Sequence, residues 1–339
     1  MKPGTGLALL LGALIASACG GSEPARGAEL PVRTSVPVRE REVAPPPRAS
    51  EEVRRGEELL ASGDVIAARR AFERAIEADP EDARAHLDLG IALEMQGHVK
   101  GAERAYRRAV AIAPHFAEAL NNLGLLLFET DRPAEAAELL ERAVTVKEEL
   151  GDAWVNLALA YEALDREREA VRAWRGAAER LPGDATVHAN LGLALLQVGE
   201  REEAREVLQD GLGVAQGNAA ALQAIGNGLR RAGDPEAAAS AMRAAIEAQE
   251  EGPTPALLAE LALAQHAAGD SGAAEASLAQ ALEIDEDYAT AHYILGSILA
   301  SRGAYREAIR HFRAVLRLEP DGPHAEGAKE RLKAAREAM

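Results

Sequence analysis

The sequence repeats with a period of 34 residues from residue 49 onward, and this period constrains the fold more than any other feature. A small residue recurs at position 8 of each unit, at Gly56, Gly90, Gly124, Ala158, Gly192 and Gly226. An alanine follows at position 20, at Ala68, Ala102, Ala136, Ala170, Ala204 and Ala238. After a two-residue insertion around Pro253, the series resume with Ala262 and Gly296 and with Ala274 and Ala308. Eight units fit this register, so one motif builds most of the chain.

Each unit is predicted to form two helices. Apolar side chains in the first half are spaced three and four apart, as at Trp154, Leu157 and Tyr161, which is typical of one buried helical face. Turn residues separate the halves, at Gly97, Asp131, Asp165, Gly199, Gly233 and Gly303. Prolines end several units, at Pro80, Pro114, Pro182 and Pro320, because proline cannot continue a helix. Small residues at position 8 let the paired helices approach closely.

This pattern resembles the tetratricopeptide repeat. The unit from Gly151 carries the expected series of large and small residues, namely Trp154, Leu157, Ala158, Tyr161, Ala170, Trp174, Ala177 and Pro182. The resemblance implies an all-α fold, a right-handed superhelix (α-solenoid) of about eight helix-turn-helix repeats over residues 51–322. Residues 323–339 are predicted to form a C-terminal capping helix, which a solenoid needs to cover its last apolar face. Glycines at 211, 213 and 217 predict a looser joint in the fifth repeat.

The N-terminus resembles a bacterial lipoprotein signal over residues 1–18. Lys2 precedes an apolar run from residue 7 to 15, and small residues lead into Cys19, the single cysteine. The resemblance implies that Cys19 is diacylated, and Gly20 after it implies the outer membrane, facing the periplasm. An ordinary secretory cleavage, which would leave a soluble protein, also fits the small residues. Residues 19–50 are predicted to be a disordered tether, because six of their residues are proline and charges alternate among them.

Composition excludes several classes of function. Asp and Glu number 55 against 38 Lys and Arg, a net charge of −17 that repels phosphate backbones, so we expect no nucleic-acid partner. A single cysteine excludes an intramolecular disulfide framework and a cysteine-rich zinc site. We find no phosphate-binding glycine loop, nucleophile elbow or acid–base constellation, so we expect no enzyme activity, no small-molecule substrate, no cofactor and no metal.

The first helices offer a candidate peptide-binding groove. Helical geometry predicts that positions 2, 5, 9, 12 and 13 face outward, with position 6 at the edge. The groove residues are Asn122, Asn156 and Asn190 at position 6, Ile91, Leu125, Leu159 and Leu193 at position 9, Phe128, Glu94 and Glu162 at position 12, and Glu129 at position 13. Asparagine amides can donate and accept hydrogen bonds with an extended backbone. With Asp88, the glutamates favour a neutral or basic peptide. Equally, the leucines and asparagines can pack or bridge between repeats.

Three histidines stand at position 4, at His86, His188 and His292. They lie on different repeats without the close helical spacing of metal ligands, so packing is the favoured interpretation. The carboxylate clamp of chaperone-binding repeats is not predicted, because position 5 holds Val53, Leu87, Val155 and Ala189, with Asn121 as the exception.

We therefore expect a non-enzymatic, membrane-anchored scaffold that binds a partner protein or peptide in its groove. Its plan resembles repeat lipoproteins that assemble cell-envelope complexes, such as pilotins for type IV pilus secretins. An alternative is a periplasmic chaperone-like holder of unfolded polypeptides. A third is the regulatory part of an enzyme such as a glycosyltransferase, although residues 323–339 leave no room for a catalytic domain.

Overall fold

The computed structural model describes residues 50–339, which contain 17 α-helices and no strand. The predicted signal, Cys19 and residues 19–49 of the tether lie outside this range. The helices are α1 (Glu51–Ala61), α2 (Val65–Ala78), α3 (Ala83–Met95), α4 (Val99–Ile112), α5 (Ala117–Glu129), α6 (Pro133–Val146), α7 (Gly151–Glu162), α8 (Glu167–Arg180), α9 (Ala185–Gln197), α10 (Arg201–Val214), α11 (Ala219–Ala232), α12 (Pro235–Glu247), α13 (Pro255–Ala267), α14 (Ser271–Ile284), α15 (Ala289–Ser301), α16 (Tyr305–Leu318) and α17 (Ala325–Glu337).

The turn within each repeat requires a left-handed backbone, and the sequence supplies it at a fixed position. All six turn residues named from the sequence have a positive φ, including the two that are not glycine, Asp131 at 61° and Asp165 at 53°. Aspartate tolerates this conformation better than most residues. Side-chain caps then start several helices, as where the carboxylate of Asp64 accepts from the Ala67 amide at 3.0 Å. The helix boundaries therefore follow from local chemistry.

The two helices of a repeat meet where position 8 is small. A Cβ added to Gly90 would lie 2.3 Å from the Tyr106 ring, and one added to Gly124 would lie 2.7 Å from Leu140. Glycine is required there because the bulky residue of the second helix fills the space. Tyr106 and Leu140 are consequently among the most buried large side chains. This pairing confirms the predicted all-α tetratricopeptide-like hairpins.

The described helices fall into two compact units, which we treat separately. Unit 1 ends at Ala119 and contains α1 to α4, whereas unit 2 runs from Leu120 to Met339. The apolar core of unit 1 includes Phe72, and unit 2 contains continuous apolar clusters along its hairpins. The sequence predicted a single array over residues 51–322, so the boundary within the first turn of α5 is a new feature.

The insertion near Pro253 and the C-terminal helix α17 lie outside the regular 34-residue period. The insertion near Pro253 extends the loop between α12 and α13, and Thr254 caps α13 by accepting from the Leu257 amide at 3.2 Å. Helix α17 buries Ala328 and Leu332 against the last apolar cluster of unit 2. The predicted C-terminal helix is therefore present and packs as a cap.

Candidate functional site

The groove residues are divided between the two units. Ile91 and Glu94 belong to unit 1, and the other nine belong to unit 2. The position 9 residues are all half-buried, as are the three asparagines and Phe128, while Glu129 and Glu162 are exposed. Half-buried leucines retain accessible apolar surface, and the neighbouring amides can still reach a ligand.

The asparagines of unit 2 form a bridge between α5 and α7. Asn156 Nδ2 donates to Asn121 Oδ1 at 2.9 Å, and Asn121 Nδ2 donates to Asn122 Oδ1 at 3.3 Å. Asn121 is buried and Asn156 half-buried, so this bridge is partly shielded from water. The interpretation that asparagines bridge adjacent repeats therefore applies to Asn156. It leaves the Asn122 amide nitrogen and the Asn156 amide oxygen without a hydrogen-bond partner in the described residues.

Asn190 is different from the other two. It occupies the same position on α9, and its side chain forms no hydrogen bond with any residue in the described range. The residue is only half-buried, so both its donor and its acceptor stay available. Half-buried Leu159 and Leu193 lie at position 9 of α7 and α9. Asn190 is thus the clearest candidate for direct backbone recognition.

A second polar network on the same helix positions was missed from the sequence. Glu260 on α13 accepts from Gln223 Nε2 at 2.8 Å and from Asn227 Nδ2 at 3.2 Å, both on α11. Glu260 stands at position 6, like the asparagines, and Asn227 stands at position 9. A search for polar residues at position 6, rather than for asparagine alone, would have found it. Polar groups thus connect first helices at two places in unit 2, between α5 and α7 and between α11 and α13.

Two of the predicted glutamates have structural partners inside their own hairpins. Glu94 accepts from the Tyr106 hydroxyl at 2.7 Å, and Glu162 accepts from Trp174 Nε1 at 2.7 Å. Both pairs are separated by 12 residues, because position 12 of the first helix lies over position 24 of the second. These carboxylates satisfy the polar atoms of otherwise buried aromatic residues. Their negative charge remains, but they also hold the hairpin together.

Two sequence expectations are wrong. Position 5 does not face outward in most repeats, because Val53, Leu87 and Ala189 are almost fully buried, whereas Val155 is half-buried. Asp88 does not contribute to an acidic groove, since it is buried and bonded to Arg84 Nε at 3.0 Å. Stacking of successive first helices covers positions that an isolated hairpin would expose, as shown by contacts of α3 with α1 and of α11 with α9. Helical geometry within one repeat cannot reveal this burial.

Burial also perturbs the Asp88 carboxyl group. Removal from water raises the pKa of Asp88 to about 6, and the adjacent Arg84 guanidinium only partly opposes that rise. Arg84 also binds Glu57 at 2.6 Å, so one guanidinium serves two carboxylates. This cluster joins α1 to α3 in unit 1, and it is a structural rather than a ligand-facing group.

The histidines at position 4 are held by backbone carbonyls. His86 Nε2 lies 3.1 Å from the Pro80 oxygen, and His188 Nδ1 lies 2.9 Å from the Asp184 oxygen. His292 has a further partner that the sequence did not suggest, His311, with 2.9 Å between their Nδ1 atoms. Burial, followed by the charges of His292 and Arg310, lowers the pKa of His311 to about 4. His311 is therefore uncharged at neutral pH, and one hydrogen bond joins it to His292.

Within residues 50–339, no group of three or more histidine, cysteine, aspartate or glutamate side chains is arranged to hold a metal ion. Over the same span, none of the helices has the length and apolar content needed to cross a bilayer.

Sequence comparison now identifies the family. A tetratricopeptide-repeat model matches residues 53–115, 96–154, 224–289 and 259–323, and a second tetratricopeptide-repeat model matches residues 185–210. These matches cover more than half of the chain, which therefore belongs to the tetratricopeptide repeat family. No curated protein matches it.

The chain is also similar to several solved structures. The chain is similar to PilF of Pseudomonas aeruginosa, with 25% identity and a TM-score of 0.50 over 57% of this chain and 87% of PilF. It is also similar to MamA, with 27% identity and a TM-score of 0.44 over 48% of this chain and 96% of MamA. A third is YrrB, described as a repeat protein with an unusual peptide-binding site, with 23% identity and a TM-score of 0.48 over 59% of this chain and 99% of YrrB. The PilF likeness supports the shared fold.

Proposed function

We propose that this protein is a non-enzymatic scaffold that binds an extended segment of a partner protein along the first helices of unit 2. Membership of the tetratricopeptide repeat family supports an interaction role, because stacked repeats offer extended binding surfaces. The observation that carries the site is Asn190, whose half-buried amide has no internal partner in the described residues. Leu193 on the same helix and Leu159 on the preceding first helix, α7, supply apolar surface.

The recognition chemistry follows from these groups. The Asn190 amide offers one acceptor and two donor hydrogens to a peptide backbone, so it recognises an extended chain without selecting its side chains. Specificity would then come from apolar side chains of the ligand against Leu159 and Leu193. Exposed Glu129 and Glu162 favour a neutral or basic ligand over an acidic one.

We further propose that the scaffold works at the cell envelope, held by diacylation of Cys19 and facing the periplasm from the outer membrane. The signal-like N-terminal sequence supports this location. Assembly of an envelope complex, in the manner of a type IV pilus or secretin pilotin, is the cellular role that fits an anchored scaffold. A holder of unfolded polypeptides is the second candidate, favoured by backbone-directed asparagines.

Photo-crosslinking in the native cell envelope tests the binding surface. A benzophenone amino acid placed at Leu159 is expected to give one discrete adduct, whereas the same probe at Arg172, exposed on the second helix of that repeat, gives none. Asn190→Ala is expected to reduce the adduct several-fold, because one to two backbone hydrogen bonds are lost.

The remaining outcomes separate the alternatives. A smear of many adducts at Leu159 would favour the holder of unfolded chains. Absence of any adduct would mean that the leucine row only packs between repeats, and the proposed scaffold surface would be abandoned. Asn156→Ala serves as a structural comparison, since it breaks the bridge to Asn121 and is expected to lower stability as well.

A further inference from the structure

Unit 1 contains an open cavity of about 720 Å³ between α3 and α4. Its apolar part is formed by Leu89, Leu93 and Val99, and Val99 is 39% exposed. Leu89 and Leu93 are only half-buried, whereas the corresponding position 7 and position 11 residues of the next repeat, Leu123 and Leu127, are almost fully buried. The cavity therefore leaves accessible apolar side chains that a regular repeat of this chain buries.

The charge of the cavity is opposite to that of the chain. Lys100, Arg104 and Arg108 line it, together with His86 and His98, and no acidic residue does. The whole chain has a net charge of −17. Three cations around one cavity thus form a local positive field within an acidic protein, which attracts an anionic ligand.

Two of these cations have no internal counterion. Arg108 is bonded to Glu81, whereas Lys100 and Arg104 form no ion pair within residues 50–339 and are exposed. Arg107 on the same helix instead faces Glu103 at 2.8 Å. Because Lys100 and Arg104 need not break an existing pair, they can bind an external carboxylate at little cost.

The start of α4 adds to this positive field. His98, Val99 and Lys100 form the first turn of α4 and line the cavity. Among the second helices of the eight described hairpins, α4 alone begins with neither a side-chain cap nor an acidic residue in its first turn. Its positive dipole end is consequently not neutralised by the protein. The start of α4 thus adds the positive end of its dipole to the charges of Lys100 and Arg104.

We propose that this cavity is a second docking site, which takes a partner segment bearing both carboxylates and apolar side chains. The carboxylates would bind Lys100, Arg104 and the first turn of α4, while an apolar side chain would contact Leu89, Leu93 and Val99. This site shares no residue with the groove residues, and its ligand has the opposite charge preference. The scaffold could therefore hold two chemically different segments.

Fluorescence anisotropy with the full chain tests this proposal. The probe is a fluorescein-labelled peptide of about twelve residues in which glutamate and leucine alternate, an extended ligand with both kinds of side chain. We expect binding at low ionic strength that the double variant Lys100→Glu with Arg104→Glu weakens about tenfold, from the loss of two charge pairs. A Lys100→Gln with Arg104→Gln variant removes the same charges without adding repulsion, should the first variant fold poorly.

Matched controls decide the outcome. Arg310→Glu changes an exposed arginine at the same repeat position as Arg104, on α16, and is expected to leave binding unchanged. Leu93→Gln is expected to weaken binding without altering its salt dependence. Equal losses with Arg310→Glu, or equal binding of a lysine–leucine peptide, would overturn the proposal. Retained peptide binding in both double variants would also overturn it, as would charge-dependent binding to phosphatidylglycerol vesicles without peptide binding.

Discussion

Asp88 stands at a regular position of the repeat, but its burial disfavours the ionised carboxyl group. It stands at position 6, where the next three repeats have asparagine, and it is 4% exposed. Its pKa is raised to about 6, mainly because burial disfavours the ionised form. An acid whose pKa is higher in the folded state destabilises the fold when ionised. With respect to Asp88, the free energy of unfolding is therefore highest below the unfolded-state pKa near 3.8. It falls as the pH rises from there towards 6.

Asp88→Asn is expected to remove this pH dependence. The variant should match the wild type near pH 4 and exceed its stability above pH 6 by roughly 1–3 kcal/mol, since each pKa unit corresponds to about 1.4 kcal/mol. Hydrogen exchange of the α3 amides, corrected for intrinsic rates, measures the difference across pH 4 to 7. Glu58→Gln, an exposed change on α1, is the control. A difference between variant and wild type that does not change with pH would contradict the account.

Among single residues, the sequence predicted the features that depend only on neighbours within one repeat, such as the turn residues. Gly97 and Asp165 were assigned to turns because each lies between two helical patterns, and both have positive φ. The burial of Asp88 and the His292–His311 pair depend instead on contacts between helices. The residue types at these positions do not determine which helices lie beside them, so the sequence alone predicts neither feature.

Helix α10 is the element in which glycine serves two unlike purposes. Gly211 is buried, and a Cβ there would lie 2.7 Å from His188 Cβ and 3.2 Å from Ile225 Cδ1. Gly213 is exposed, and an added Cβ would meet nothing within 4 Å. Gly211 is thus required for close packing of α10 against α9 and α11. Gly213 only adds conformational freedom to the unfolded chain.

The same substitution is therefore expected to have opposite effects at the two positions. Gly213→Ala should stabilise the fold by roughly 0.5 kcal/mol, because it lowers the entropy of the unfolded state. Gly211→Ala should destabilise it by about 1–3 kcal/mol, because the methyl group overpacks a rigid contact. Thermal unfolding and hydrogen exchange of α10 report both changes. Destabilisation by Gly213→Ala would disprove the explanation from side-chain space.

These two glycines also bear on the predicted looser joint between residues 211 and 217. The sequence treated the glycines alike, because composition does not distinguish a buried glycine from an exposed one. Structure shows that Gly211 is packed, which leaves Gly213 and Gly217 as the positions that can loosen the end of α10. Faster exchange at α10 than at α8, reduced by Gly213→Ala, is the result that the joint predicts.

For the whole molecule, repetition explains why the fold was predictable and the binding surfaces were not. Each hairpin satisfies the same size rule, so the 34-residue period was sufficient to predict hairpins and their order. The proposed binding surfaces depend instead on differences between repeats, such as the side-chain contacts that distinguish Asn190 from Asn156, the cavity between α3 and α4, and Glu260. Residues that differ between repeats cannot be predicted from the period, and what they contact depends on which helices lie beside them.

The proposed location of the whole molecule at a membrane rests on lipidation of Cys19. A diacylated cysteine would hold the chain firmly on a membrane, since two acyl chains give stable anchoring where one does not. The protein part works against membrane association, because a net charge of −17 is repelled by anionic headgroups. If the signal is instead cut in the ordinary way, the exported chain has a free thiol and no lipid. The two processing routes thus predict different distributions between membrane and soluble fractions.

Cys19→Ser is expected to move the protein from the membrane fraction to the soluble fraction and to abolish incorporation of a labelled fatty acid. Ser22→Ala, three residues further on, is the matched control and should change neither result. High salt should leave the wild type on the membrane, because acyl insertion does not depend on charge. A soluble wild-type protein without label would contradict the proposed lipid anchor at Cys19. The scaffold would then act free in its compartment, and its two candidate docking surfaces would need no fixed orientation towards a membrane.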